Sequence, residues 1–150
     1  TKMAATAWAF FNSFRENMGG ATAWDLAGTT DGFQLSLHTS AASTNANDQT
    51  LSTYASIGSE VANGNGYTTG GASVTSRTWA SVATDKYRFD STSVVWTATG
   101  GTIPNIKYAV IYKSGGALVC MSKLTTTQFT LAEDNTLTVT PSATGIFELA

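Results

Sequence analysis

Two runs of strand-forming residues, Ile106–Lys113 and Ala117–Leu124, stand on either side of Ser114-Gly115-Gly116. Such runs, joined by a short glycine-containing connection, fold as a β-hairpin. This is the clearest hairpin in the sequence, and the rest of the second half follows its style. From Ala72 onward, further strands are expected near Ser73–Trp79, Lys86–Asp90, Val94–Ala98, Gln128–Ala132, Leu137–Thr140 and Ile146–Leu149. Turn residues separate them at Ala83-Thr84-Asp85, Gly100-Gly101, Glu133-Asp134-Asn135 and Pro141-Ser142-Ala143. Short strands with frequent turns imply a mainly β fold, either an antiparallel, jelly-roll-like β-sandwich or a barrel. No internal repeat stands out.

The first half is less regular. Met3 to Met18 is the best helix candidate, because Trp8, Phe11, Arg15 and Met18 follow helical spacing, as do Ala7, Phe10 and Phe14. Gly19-Gly20 ends it. Such an aromatic-rich helix either folds back on its own sheet or docks on a neighbouring subunit. In the second case Trp8, Phe11 and Phe14 are interface residues. Residues 1–20 are therefore read as an N-terminal helical arm and residues 21–150 as a single β-rich domain. Phe33 to His38 alternates apolar and polar residues, the mark of a half-buried strand. Phe33, Leu35 and Leu37 are expected in the core, with Gln34, Ser36 and His38 on the other side. Thr39 to Gln49 is small and polar and reads as a long loop, functional or mobile. Leu51 to Ala62 has room for a helical turn or two. Asn63-Gly64-Asn65-Gly66 and Gly70-Gly71 are turn signals.

A chain of 150 residues suits one domain and buries roughly 70% of its unfolded surface without staples. Only 12% of the residues are charged, against about 25% in an ordinary domain. The difference is made up by 26 Thr and 15 Ser. Thr favours strands and leaves a surface that is polar but uncharged. Covering such a surface strips no charge of water, so it suits either contact with a partner or a stable exposed β-domain. The net charge of −2 includes no basic stripe, which argues against direct nucleic-acid binding. No run of about 18 apolar residues suggests a membrane helix. The N-terminal residues do not read as a signal peptide, although a segment removed beforehand would leave no trace.

Little in the sequence points to chemistry. One His and one Cys cannot cage zinc. Asp25 with Asp31, and Glu133 with Asp134, read as turn residues rather than calcium ligands. Cys120, in an apolar strand, reads as a buried hydrophobe. His38 is the one histidine able to serve a serine nucleophile, and its place on a polar strand face before a loop marks it instead as exposed or interfacial. Glu60 reads as a structural carboxylate that accepts backbone N–H bonds in the glycine turns after it, at Gly64, Gly66, Gly70 and Gly71. Those glycines match no phosphate-binding fingerprint and supply positive φ. Trp24, Trp79, Trp96, Tyr54, Tyr67, Tyr87, Tyr108 and Tyr112 form either core and rim or a sugar-stacking platform, with Trp96 read as core. The expectation is a chain with no enzyme activity, no cofactor and no metal.

One stretch, Glu60-Val61-Ala62-Asn63-Gly64-Asn65-Gly66-Tyr67-Thr68-Thr69-Gly70-Gly71, carries a resemblance. Val74 to Trp79, Phe89-Asp90, Val94-Val95-Trp96-Thr97-Ala98, Ile103, Lys107-Tyr108-Ala109-Val110-Ile111-Tyr112 and Gly145-Ile146-Phe147 continue it. In order and spacing the chain resembles small tailed-phage virion proteins of the head decoration or cement type, over roughly residues 30 to 150. The resemblance implies a β-rich fold, a place on the capsid surface of the virion and a role clamping neighbouring major capsid subunits. It also implies a homo-oligomer, with a trimer favoured. A tail, baseplate or fibre component and a carbohydrate-binding module are the alternatives.

Overall fold

The computed structural model describes residues 6–20 and 23–149. It is a mainly β protein in which every strand pair is antiparallel. The largest sheet takes the order β1 (Ala9–Phe10), β9 (Leu118–Lys123), β8 (Tyr108–Lys113), β2 (Phe33–His38), β3 (Ala72–Ser73). Three smaller sheets lie against it. One is β12 (Phe147–Leu149), β5 (Lys86–Asp90), β4 (Thr78–Ala83). The others pair β11 (Thr136–Val139) with β6 (Val94–Thr97), and β10 (Phe129–Leu131) with β7 (Ile103–Ile106). Leu35, Leu37, Ala109, Ile111 and Val119 from the large sheet share one core with Phe89, Trp96, Ile103 and Leu137 from the small ones and with Ile146 just before β12. The layering is that of a β-sandwich, and no sheet closes into a barrel among the described residues.

The period-2 pleat of β8 explains how the large sheet is used. Ala109 and Ile111 point into the sandwich core, whereas Tyr108, Val110 and Tyr112 point the other way, into a second apolar cluster. On β9 a bulge between the pairs Ile111–Cys120 and Tyr112–Leu118 leaves Val119 as the extra residue. Val119 and Cys120 therefore both face the sandwich core, while Leu118 and Met121 face the second cluster. Burial pushes the Cys120 thiol well above its ordinary range, so it stays protonated.

The second face of the large sheet is covered, which corrects the reading of Thr39 to Gln49 as a free loop. A 3-10 turn (Ser40–Ala42), a short helix α2 (Ser43–Ala46) and a second 3-10 turn (Tyr54–Ser56) lie across it. Ala42, Ala46 and Ile57 are fully buried there, beside Leu51 and Tyr54. Backbone bonds fasten this cover at its far end, from Tyr54 N–H to Gly116 (2.6 Å) and from Leu118 N–H to Ser52 (3.0 Å). Ser36 (0% exposed) and His38 (1% exposed) consequently lie inside the protein and not on a polar outer face.

The N-terminal helix is shorter than its sequence pattern. Ala9–Phe10 adds as an edge strand to β9, and α1 spans only Asn12–Met18; residues 3–5 of the expected helix lie outside the described residues. Phe10 and Phe11 sit on opposite sides of the strand-to-helix junction, which is how the segment carries aromatics all round. Phe10 packs on Phe14 and Phe147, whereas Phe11 enters the second cluster. Phe11 (0%) and Phe14 (4%) are thus buried within this chain and present no interface, and Trp8 is half-buried against the main core. Between described residues 8 and 18 the segment belongs to the domain and is not a separate arm.

Two strand boundaries also move. Ser73–Trp79 does not run as one strand, because Ser76 adopts φ 49° and separates β3 from β4. Ile106–Lys113 is divided at Lys107, so that Ile106 ends β7, which pairs β10, while β8 starts at Tyr108 and stays in the large sheet. Truncating Phe14 to Ala should cost about 3–5 kcal/mol, the range for a buried aromatic, measured as a fall in the denaturant midpoint. A loss below about 1 kcal/mol, the scale of surface substitutions, would show that this segment is not core.

Candidate functional site

The densest set of polar side chains gathers around Glu60. The chain reaches it along the end of β2 that β3 leaves unpaired, where Thr39 N–H bonds to Ser59 (2.9 Å) and Val61 N–H to Leu37 (2.9 Å). It then reverses at Asn65-Gly66. Gly64 and Tyr67 exchange both backbone bonds (2.8 and 2.9 Å), and Asn65 (φ 52°) and Gly66 (φ 93°) both take positive φ. That is the hairpin turn an Asn-Gly pair favours. The reversal returns Tyr67, 2% exposed, to the carboxylate.

Glu60 Oε1 accepts the Tyr67 hydroxyl (2.6 Å) and the Gly70 N–H (2.7 Å), and Oε2 accepts the Tyr54 hydroxyl. Tyr67 in turn accepts the Leu37 N–H (3.0 Å). Tyr112 donates to the Gly70 carbonyl (2.7 Å) and stacks on Tyr54, ring centroids 4.0 Å apart. Burial, followed by the Glu60 carboxylate, raises the Tyr54 and Tyr67 phenols far above their ordinary range, so both remain donors. Gly71, at φ 78°, admits no side chain, since a Cβ would run into the Leu35 carbonyl. One carboxylate thereby ties together the cover at Tyr54, the 60–71 turn, β2 and β8.

His38 and Ser36 sit beside this hub. Ser36 Oγ lies 2.9 Å from His38 Nε2 and 3.3 Å from the Val110 carbonyl, and His38 Nδ1 lies 2.8 Å from the Gly58 carbonyl. The Gly58 carbonyl fixes the proton on Nδ1, leaving Nε2 to accept from Ser36. A serine beside a histidine is the start of a nucleophilic arrangement. Here neither side chain reaches solvent, so no substrate meets them in this conformation. Burial lowers the His38 pKa below 6.5, against the opposing pull of the Gly58 carbonyl and the Glu60 charge. Among the described residues no buried side-chain polar atom lacks a partner. The pair is a satisfied interior network.

The carboxylates noted in the sequence are engaged in turns and ion pairs. Asp25 accepts the N–H groups of Gly28 (2.7 Å) and Thr30 (3.2 Å). Asp31 accepts Asp25 N–H (2.9 Å) and pairs with Lys113 (2.8 Å), and the Lys113 bond is the main reason its pKa is lowered. Asp134, at φ 63°, sits in the turn before β11. Among the described residues no three of His, Cys, Asp and Glu gather as a metal site, and no helix is long and apolar enough to cross a membrane. Of the candidate stacking aromatics, Trp96, Tyr67, Tyr108 and Tyr112 are buried.

The surface offers a different kind of site. The β12–β5–β4 sheet continues its apolar inner face beyond the core. Trp79, Phe89 and Phe147 pack together at the covered end, and Tyr87 (47% exposed) and Leu149 (54%) follow on the same face at the uncovered end. Val82 (42%) projects nearby from the β4 bulge. A groove of about 700 Å³ beside this sheet is lined by Trp8, Phe10, Val139, Pro141, Ile146 and Phe147. Sequence reading names Trp79 and Tyr87 among its aromatics but misses Val82, Leu149 and their grouping on one sheet, of which the uncharged run Thr78–Ala83 is the visible trace. Comparison with protein families, curated proteins and solved structures finds no match for the chain.

Two outcomes are expected from the interior network. Replacing Glu60 by Gln should cost about 1.5–3 kcal/mol, the range for bonds to a charged group, read in denaturant unfolding; a neutral substitution would remove the hub. Because His38 titrates lower in the folded than in the unfolded chain, its contribution is complete above pH 6.5 and is lost as pH falls from there toward the folded value. The melting temperature should therefore decline below pH 6.5, before the carboxylates titrate near about pH 4. A flat profile over that window contradicts a buried, neutral His38.

Proposed function

We propose that this protein is a structural component of a bacteriophage particle, most specifically a capsid cement protein that clamps neighbouring major capsid subunits. The observation that carries the reading is the uncharged, partly apolar sheet surface of Trp79, Val82, Tyr87 and Leu149, which extends beyond the core. Apolar surface of this kind gains free energy when covered, about 25 cal/mol per Å². With 12% charged residues, the protein loses little ionic solvation when a partner approaches. The resemblance to tailed-phage decoration proteins names the partner class. Its residues from Glu60 to Gly71 and from Tyr108 to Tyr112 lie in the hub and the large sheet, and of the contact surface it includes Trp79 alone, so it speaks mainly for a shared scaffold.

Purified protein mixed with phage heads, or with their major coat protein, should sediment with them, and light scattering should give a mass above one chain. A monomer that ignores heads would contradict the cement reading and turn attention to tail structures or to glycans stacking on Trp79 and Tyr87.

A further inference from the structure

Strand β4 is the outer strand of its sheet and, with six residues, the longest edge strand among the described residues. Edge strands in soluble proteins are ordinarily short, charged, bulged, or interrupted by proline, because their free N–H and C=O groups recruit other strands. Thr78-Trp79-Ala80-Ser81-Val82-Ala83 carries neither charge nor proline, and all but Trp79 are exposed. Its one irregularity is the bulge at Val82. The charged residues just outside it are unlike: Arg77 before the strand and Asp85 after it. Neither enters an ion pair among the described residues; Arg77 donates to the Gly28 carbonyl and lies over the Phe33 ring.

We infer that β4 pairs antiparallel with β4 of a second copy of this chain about a two-fold axis. Antiparallel self-pairing sets the start of one strand beside the end of the other, so Arg77 of each copy lies at the same end as the Thr84–Asp85 turn of its mate and reaches Asp85 by leaving the Gly28 carbonyl. A register centred on Ser81, the last residue before the Val82 bulge, brings these two ends together and places Ser81 opposite itself. In an antiparallel pair, facing residues have the same hydrogen-bonding orientation, and a residue on the two-fold axis satisfies this requirement. The two sheets then join as β12–β5–β4 continued by β4–β5–β12, with the Trp79 and Tyr87 faces on one side. No like charges face each other along Thr78–Ala83, and the symmetry closes on itself without generating a filament. This deepens the assembly reading by naming a partner for one edge of the same surface, and a two-fold pair replaces the favoured trimer as the building unit.

The test is the mass of the intact protein by sedimentation equilibrium over a wide concentration range, for the wild type, Ser81→Lys, Ser81→Glu and an equal mixture of the two variants. Ser81 is exposed, and among the described residues its hydroxyl bonds only the nearby Ala83 carbonyl (3.2 Å), so thermal melting should show both variants folded. The expected result is a dimer for the wild type, a loss of self-association of at least about tenfold for each variant (one tenfold step being about 1.4 kcal/mol) and recovery in the mixture. A wild type that stays monomeric overturns the inference, as does a dimer that both variants leave intact. Heads added to the same samples keep the two ideas apart: monomers that still bind heads remove β4 self-pairing and leave the cement reading standing.

Discussion

Everything around the large sheet depends on one carboxylate that receives three hydrogen bonds. Glu60 holds the Tyr54 and Tyr67 hydroxyls and the Gly70 N–H, and through them it joins a cover, a turn and two strands. A half-buried carboxylate loses water, and only a full set of donors offsets that loss. The donors come from three separate chain segments, so satisfying the charge also settles where those segments lie. The cover over Tyr108, Val110 and Tyr112 follows from this, and with it the burial of Ser36 and His38.

The large sheet is thus dry on both faces, which is uncommon for an antiparallel sheet. Its exposed counterpart is the β12–β5–β4 sheet, whose far end lacks a covering layer among the described residues. The division between these two regions underlies the functional proposal. Polar chemistry is spent inside, on holding the fold, while the outer sheet presents backbone edges and uncharged side chains that favour contact with protein. Lys86 and Arg88 both pair with Glu148 on the opposite face of that sheet, which keeps its charges off the Trp79–Tyr87 side.

How much of this the sequence reveals differs by segment. The β8–β9 hairpin and the strands Lys86–Asp90 and Val94–Thr97 are legible because β-branched and aromatic runs between turn residues have few alternatives. The β2 alternation gives the inner face correctly at Phe33, Leu35 and Leu37 but misplaces Ser36 and His38, since alternation records polarity and not what lies above it. The cover was hidden because it packs through Ala42 and Ala46, one helical turn apart, in a stretch that otherwise reads as polar loop. Ser76 breaks one expected strand with positive φ, a conformation that leaves little trace at a non-glycine residue, and the expected strand Ile106–Lys113 breaks at Lys107. At the hub, Glu60 and its glycines were visible, whereas Tyr54 required the tertiary fold.

The most direct measurement of the account is hydrogen exchange at single amides, in dilute protein and in the assembled state. The account predicts slow exchange at Leu37 and Gly70 in both, because their bonds to Tyr67 and Glu60 belong to the fold. It predicts fast exchange at outward-facing amides of Thr78–Ala83 in the dilute chain and protection there on assembly. Strong protection of β4 in dilute monomer, or none on assembly, would contradict it.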